Sequence, residues 1–306
     1  MKVLVLGATG FIGSSASRQL GGSGHQTIGT STSGKGADVA CDILLPESVD
    51  RVLEKSQPEA ILLAAGRASV ADSWKDPDGT FRTNTAGAFN VLDGMRRICP
   101  SAQLVFASTA SVYGRPASPD EMPFTEDVPA RPSSPYAASK AAAEVLCRQF
   151  ELQYGLDLTV LRFFNQIGPG QTGGQAPVEF ASGIAAAEKR GEQRYYLKVG
   201  NPKAERDFTD VRDSARAIEG VISQRVTGTF NVCSGQAVSL KQIIEILTTA
   251  SQIEIGMLID PQHSHREDIP VVFGAPGKLR DAIGWQPSIP LNESLEELLA
   301  DWRTRT

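Results

Sequence analysis

The feature that most constrains this chain is the run KVLVLGATGFIG at residues 2–13, a short apolar stretch that breaks into three glycines and passes straight into a segment of helical period. Gly7, Gly10 and Gly13 fall where a strand must turn sharply into a helix and let a diphosphate approach the helix N-terminus, with Phe11 and Ile12 opening that helix. Residues without a Cβ meet those demands. A glycine triplet by itself also arises from tight turns, so its meaning depends on the elements downstream of it.

Those elements alternate. QTIGT, AILLAA, QLVFAS and DLTVLRFF are apolar runs of strand length, and between them lie helical patterns at Phe11 to Leu20, Pro46 to Lys55, near Gly79 to Ile98, and from about Pro135 to Tyr154. Strands that read as continuous apolar runs belong to a parallel sheet covered by helices on both faces. The expected fold is therefore α/β, a doubly wound parallel sheet of the Rossmann kind with a smaller α/β substrate-binding lobe. After Asn165 the chain reads IGPGQTGGQAP, too rich in glycine and proline to extend a regular element. We place the exit to the second lobe there. ERDFTDVRDSARAIEGVI and TGTFNV read as a helix and a strand returning to the sheet, and two further helices are expected after Val238. The nucleotide domain then spans 1–164 plus 207–235, and the second lobe 165–206 plus 236–306. The last helix, Leu291 to Trp302, carries a core stripe of Leu291, Leu295, Leu298, Leu299 and Trp302, with Ser294 and Glu297 spaced like a capping box.

Composition excludes several function classes. A chain of 306 residues with 41% hydrophobic content can bury a full core. Its net charge of -5 leaves no basic footprint for nucleic acid or an anionic membrane. MKVLVLG is too short for a signal peptide or a membrane span, so a cytoplasmic protein is expected. Cys41, Cys99, Cys147 and Cys233 show no paired spacing and read as small buried residues. His263 and His265 have no third partner in the sequence, and no metal is assigned.

The choice of dinucleotide should lie at the end of the second strand, where an acid would accept from a ribose 2'-hydroxyl. Here stand Thr30, Ser31, Thr32 and Ser33, then Lys35, with no carboxylate among them. Hydroxyl donors and a cation suit a 2'-phosphate, so NADP(H) is preferred and NAD(H) is the alternative. Asp42, after the third strand, is a candidate partner for the adenine amino group, with Ile43 beside it.

Tyr136 and Lys140 are four residues apart near the start of a helix announced by Ser133, Ser134 and Pro135, and so share a face. A phenol of pKa about 10 beside an ammonium can fall by ~1 to 3 units, towards the range useful for proton transfer. The lysine can also hold the nicotinamide ribose. Such a pair also occurs on solvated helices, but the strand before it delivers Ser108, Thr109 and Ser111 to the rim where ligands bind in these sheets.

Taken together, GATGFIG, ILLAAG, STASVYG, SPYAASK and RFFNQIGPG resemble the extended short-chain dehydrogenase/reductase family of sugar-nucleotide enzymes over nearly the whole chain. The resemblance implies that Thr109, four residues before Tyr113, hydrogen-bonds the reacting oxygen. It also implies that Asn84 lies near the active site, that Ala64, Ala65 and Gly66 line the cofactor, and that the helices near Gly79 to Ile98 and Pro135 to Tyr154 pair in a homodimer. The family's 4,6-dehydratases carry a glutamate, sometimes preceded by an aspartate, where this chain has Ala110 and Ser111, so dehydration is not expected.

ADSWKDPDGTFRTN, KVGNPKAERDFTDVRD, FNVCSG and IGWQPSIPL are similar to the branch that uses NADPH to reduce C4 of GDP-linked 4-keto-6-deoxy sugars, so a GDP-sugar substrate is favoured. By that resemblance Thr109 aligns the carbonyl, Tyr136 gives the proton and Lys140 supports Tyr136. Arg206 and Arg266 would meet the substrate's phosphates and ribose, Asn165 a phosphate, Lys198, Val199 and Asn201 the base, and Glu267 or Asp268 the nucleotide ribose, with Ser111 near the sugar. The reductase branch carries acids where this chain has Ser111 and Val112, which loosens the substrate assignment. Two other readings stay open: an NAD-dependent 4-epimerase, because STASVYG is close to that subgroup's motif, and a catalytically silent dinucleotide sensor.

Overall fold

A computed structural model describes residues 1–173, 175–260 and 269–306. Along the chain run β1 (Lys2–Leu6), α1 (Phe11–Gly22), β2 (Gln26–Ser31), β3 (Val39–Ala40), α2 (Pro46–Ser56), β4 (Ala60–Leu63), α3 (Val70–Lys75), α4 (Pro77–Phe81) and α5 (Gly87–Ile98). There follow β5 (Gln103–Thr109), α6 (Pro135–Tyr154), β6 (Asp157–Phe163), β7 (Asn165–Ile167), α7 (Ala176–Lys189), β8 (Arg194–Val199), β9 (Glu205–Arg206) and β10 (Phe208–Asp210). The chain ends with α8 (Val211–Ser223), β11 (Gly228–Val232), β12 (Val238–Ser239), α9 (Leu240–Ala250), β13 (Glu254–Ile259), β14 (Val271–Val272), α10 (Gly277–Ile283) and α11 (Leu291–Arg305).

Seven strands form one sheet in the order β11-β6-β5-β4-β1-β2-β3, every pair parallel. The order reverses at β1, with β2 and β3 on one side and β4 to β11 on the other. In a doubly wound sheet that reversal opens a crevice at the carboxyl ends of the strands. Register sets its rim: Leu6 stands opposite Thr30 on one side and Leu63 on the other, so the loops beginning at Gly7, after Ser31 and at Ala64 leave the sheet at one level.

Alternation along β1 explains why its sequence is apolar throughout. Leu4 and Leu6 pack with Ile61, Leu63, Leu104 and Phe106 under α2, α5 and α6. Val3 and Val5 pack on the opposite face against Ala16 and Leu20 of α1, Ile218 and Val221 of α8, and Leu279 and Trp285. Both faces of β1 are covered by apolar side chains, as in an all-parallel sheet. A separate core cluster brings Leu197, Val199, Ile243 and Leu247 together with Leu295, Leu298 and Leu299 of α11.

Two expectations are corrected. Three helices, not two, follow Val238 among the described residues; α10 is only seven residues long, too short to show helical period. Ser294 and Glu297 do not form a capping box. Pro290 caps α11, while Ser294 lies inside the helix and donates through Oγ to Asp210 Oδ2 at 2.6 Å, and Glu297 faces Arg212. The four cysteines are free and buried. Among the described residues no helix is long and apolar enough to cross a membrane.

Candidate active site

The glycine loop is built by close approach. A Cβ on Gly13 would lie 2.1 Å from the Gly7 carbonyl oxygen, and one on Gly7, whose φ is +89°, would lie 2.6 Å from the Ala65 nitrogen. Each is far inside contact distance, so side chains are excluded at both positions. Gly7 and Ala8 donate their N–H groups to the Thr30 carbonyl at 3.2 and 2.9 Å, tying this loop to the end of β2. Helix α1 then starts at Phe11 with Ile12 beside it, behind Gly10, without a side-chain cap and without an acid in its first turn. Its first N–H groups and its positive dipole end suit a diphosphate. Ala64, Ala65 and Gly66 follow β4 across the crevice, with the Ala64 N–H on the Leu6 carbonyl at 2.9 Å.

Beyond β2 the chain makes a loop and returns. Thr30 is buried, while Thr32, Ser33 and Lys35 are exposed and Ser31 donates through Oγ to the Lys35 carbonyl at 3.1 Å. The fold adds a carboxylate that the stretch from Thr30 to Lys35 does not contain. Asp38 folds back so that its Oδ2 accepts from the Gly29 N–H at 2.7 Å, and its own N–H donates to the Gly29 carbonyl at 3.0 Å. Asp42 accepts from the Leu44 N–H at 3.0 Å, and Ile43 is buried against Gly87 with its carbonyl held by Asn90.

Tyr136 and Lys140 enter the crevice from the first turns of α6. Ser134 caps that helix by accepting from the Ala137 N–H, and Pro135 occupies its first turn, where no amide donor is needed. Both side chains point inward and are nearly fully buried. The Lys140 ammonium donates to the Ala107 carbonyl at 2.8 Å and sits 4.8 Å over the Phe106 ring. Burial pulls it down to about 8, against the carboxylate of Glu144 one turn along the helix.

Tyr136 differs from the sequence expectation. Burial pushes its phenol above the ordinary tyrosine range, and the opposing influence is a side-chain hydrogen bond from Thr109. Lysine neighbourhood alone suggests a depressed phenol, but in this pocket desolvation wins. Thr109, the last residue of β5, accepts from the Ser111 N–H at 3.1 Å and lies 3.2 Å from the Ser111 hydroxyl.

Asn84 sits in one turn of π-helix, Arg82–Ala86, between α4 and α5. Its Oδ1 accepts from the Arg67 N–H at 2.8 Å, and its Nδ2 donates to the Arg67 carbonyl at 3.0 Å and the Ser139 hydroxyl at 2.9 Å. A Cβ on Gly66 would lie 2.8 Å from Asn84 Oδ1 and 3.5 Å from Lys140 Nζ. Asn84, Gly66 and Lys140 therefore meet at one point.

Asn165 donates through Nδ2 to the Asp207 carbonyl at 2.9 Å. Lys198 is exposed on β8, Val199 is buried among Leu197 and other apolar side chains, and Asn201 accepts from the Lys203 N–H at 3.0 Å. Arg206 donates to the carbonyls of Glu205 and Ile269, both at 2.8 Å. Arg266 and Glu267, with Asp268, His263 and His265, lie outside the described residues.

Several groups escaped the sequence reading. Asp207, next to Arg206, accepts from the Ser234 N–H and Oγ, the Gly235 N–H and the Gly274 N–H, joining three segments. Glu144 forms a nearly buried ion pair with Arg162 at 2.7 Å and accepts from the Ser108 hydroxyl. Glu144 stands four residues after Lys140 on the same helix, a spacing that offered a clue. Asp38 and Asp207 offered none, because their partners are set by loop closure and by long-range contact.

The sequence pattern of the NAD dependent epimerase/dehydratase family matches residues 3–233, from β1 to just past β11. The chain belongs to that family. Within the epimerase/dehydratase family it is 35% identical over 265 residues, 86% of each chain, to GDP-6-deoxy-D-mannose reductase of Pseudomonas aeruginosa. It is 29% identical over 305 residues to UDP-glucose 4-epimerase of Corynebacterium glutamicum, covering 94% of this chain and 91% of that one. Its fold superposes with a TM-score of 0.90 and 32% identity on RMD from Pseudomonas aeruginosa complexed with NADPH, covering 100% of this chain and 99% of the other. The matched family span includes the glycine loop, Asn84, Thr109, Tyr136 and Lys140.

Proposed function

We propose that this chain is an NADPH-dependent reductase that converts C4 of a nucleotide-linked 4-keto-6-deoxyhexose from ketone to alcohol, with GDP-4-keto-6-deoxymannose going to GDP-rhamnose. The observation that carries the reading is the buried set of Thr109, Tyr136 and Lys140 at the carboxyl edge of the parallel sheet, with Ala110 and Ser111 where a dehydratase carries acids. The 35% identity to a GDP-6-deoxy-D-mannose reductase supports the choice of GDP and of a keto-deoxy sugar.

When bound, NADPH supplies a hydride. The residues of this chain do the rest. Gly7, Gly10 and Gly13 would admit its diphosphate to the N-terminus of α1, and Ser31, Thr32 and Lys35 would hold its 2'-phosphate. Thr109 would donate to the C4 oxygen and hold it beside Tyr136. Tyr136 keeps its proton until negative charge develops on that oxygen, because burial holds the phenol neutral, and then donates it. Lys140, held on Ala107, keeps positive charge near the phenolate that results. Asn165, Arg206, Lys198 and Asn201 serve the nucleotide end from the second lobe.

One observation favours a second reading. Asp38 brings a carboxylate back to β2, the region where NAD-using members of such folds carry an acid. A 4-epimerase with retained NAD is therefore the alternative. The experiment that separates the two is binding of NADPH and NADH to purified protein, followed by a panel of 4-keto-6-deoxy sugar nucleotides differing in base. Tighter NADPH binding and oxidation of NADPH with the GDP-sugar support the reductase; tighter NADH binding and epimerisation of a UDP-hexose overturn it.

The same reading includes a cytoplasmic homodimer. Phe89 on α5 and Val145, Leu152 and Tyr154 on α6 leave large apolar side chains exposed on neighbouring helices, Leu152 by 70%, and a second copy of that face would cover them.

A further inference from the structure

Helix α6 is tied to β5 by two polar contacts one helical turn apart. Lys140 Nζ donates to the Ala107 carbonyl at 2.8 Å, and Ser108 Oγ, on the next residue of the strand, donates to Glu144 Oε1, four residues further along the helix. Phe106 lies on the same face of β5 as Ser108, with its ring centre 4.8 Å from the Lys140 ammonium. A slip of α6 by one turn, about 5.4 Å, would break both contacts at once. The helix is thereby registered on the strand just before Thr109 ends it.

The Glu144 contact is held in place from the neighbouring strand. Arg162 on β6 is the register partner of Ser108 on β5, so the two side chains leave the sheet on one face, and both reach Glu144. Arg162 donates to Glu144 Oε2 through Nη2 at 2.7 Å and through Nε at 3.2 Å. The guanidinium is fixed in turn: Nη1 donates to the Glu126 carbonyl at 3.3 Å, and Cζ stands 4.8 Å from the centre of the Tyr113 ring. Ser108 and Arg162 are buried, and the Glu144 side chain is only 12% exposed. An ion pair so enclosed adds little net stability, because desolvation offsets its attraction, and the best-attested use of such a pair is to fix register.

We propose that Glu144 is a positioning residue: with Ser108 and Arg162 it clamps α6 to β5 and so sets where Tyr136 and Lys140 stand relative to Thr109. It acts through the backbone of the strand and the helix, not by contact with sugar or cofactor. The effect on turnover rests on the reductase reading; the clamp itself does not. Once the Ser108 hydroxyl is gone, the end of β5 loses its second tie to α6. Lys140 is then held on Ala107 by one contact alone, and Thr109, the next residue of the strand, loses its fixed place beside the helix.

Substitution at Ser108 tests the clamp without stranding a buried charge, because the Glu144–Arg162 pair survives it, whereas Glu144→Ala would leave Arg162 uncompensated. Ser108→Thr and Ser108→Val have nearly the same shape and differ in the hydroxyl. With GDP-4-keto-6-deoxymannose and NADPH, Ser108→Thr should keep a kcat about tenfold above that of Ser108→Val, within what a displacement of about an ångström costs, while KM for NADPH is the same in both. Ser108→Ala, which adds no atoms, should fall about tenfold below wild type in the same way. Equal kcat values for the Thr and Val variants, or a difference confined to KM, overturn the clamp. A second measurement needs no sugar. Labelling of Lys140 by trinitrobenzenesulfonate, read by peptide mass spectrometry with the exposed Lys198 as internal reference, should be several-fold faster in Ser108→Ala and Ser108→Val than in wild type and Ser108→Thr. Faster labelling in a protein that reduces none of the keto sugars keeps the clamp and removes the reductase reading; equal labelling and equal kcat in a protein that does reduce them remove the clamp alone.

Discussion

Asn84 Nδ2 donates to Ser139 Oγ at 2.9 Å, and this bond couples the π-helical turn before α5 to α6. Ser139 lies between Tyr136 and Lys140 and donates its own proton to the Tyr136 carbonyl at 2.7 Å. The other polar contacts of Asn84 hold the Arg67 backbone beside Gly66. Asn84 thus ties the Arg67 backbone to α6.

Replacing it by alanine strands the Arg67 N–H and removes three hydrogen bonds from a buried site. Asn84→Ala should cost about 2 to 3 kcal/mol of stability by urea unfolding, since each bond nets about 1 kcal/mol. It should also lower kcat by at least about tenfold through misplacement of Tyr136. A variant with native stability and native kcat would show that the bridge is idle.

Lys140 separates stability from activity. In the unfolded chain it titrates near its ordinary 10.5, and burial in the folded protein brings it down to about 8. Between those values the unfolded state binds more protons, so wild-type stability rises with pH across that window. Below it the charged lysine costs on the order of 3 kcal/mol relative to a solvated one. Lys140→Met should therefore abolish turnover, be at least as stable as wild type at pH 7, and lose that advantage as pH climbs from 8 towards 10.5. Thermal unfolding of both proteins across this range checks the sign.

The glycines of the first loop should fail in different ways. Gly13→Ala drives its Cβ into the Gly7 carbonyl oxygen, whereas a Cβ on Gly10 meets that oxygen at 3.3 Å, a tight but nearly tolerable contact. Gly10→Ala should fold with a melting temperature close to wild type and bind NADPH at least about tenfold more weakly, by obstructing the approach of the diphosphate. Gly13→Ala should lose both binding and thermal stability. Equal melting temperatures for the two variants would contradict the packing described.

Asp207 gathers four donors from Ser234, Gly235 and Gly274, and its backbone carbonyl receives Asn165. Asp207→Ala leaves three backbone N–H groups without their acceptor, at about 1 kcal/mol or more apiece. Unfolding should shift by about 3 kcal/mol or more, and in protein that remains folded KM for the sugar nucleotide should rise more than kcat falls.

The centre of the sheet was legible because β1, β4 and β5 are largely apolar runs, and α6 because Ser134 and Pro135 announce its first turn. That Tyr136 and Lys140 share one buried face of α6 was legible for the same reason: their spacing is local to one helix. The second layer of the site was not. Glu144 meets Arg162, and Asp207 meets Ser234 and Gly274, only after distant segments pack, and the π-helical turn that aims Asn84 inward has no marker in RTNTA. Ser294 shows the converse, a local pattern that mimics a cap in a helix already begun at Leu291. The direction of the Tyr136 shift needed the burial of the pocket, which no spacing reveals.

The central claim is that Thr109, Tyr136 and Lys140 serve net hydride transfer to C4 of a GDP-linked keto sugar. Deuterium-labelled NADPH, carrying the label at the transferable position, tests it most directly when incubated with GDP-4-keto-6-deoxymannose and the product is read by mass and NMR. One deuterium at C4 of GDP-rhamnose, with one cofactor oxidised per product and none with Tyr136→Phe, is the result expected. Retention of all label in the cofactor, together with epimerisation of UDP-glucose by the same preparation, would contradict it.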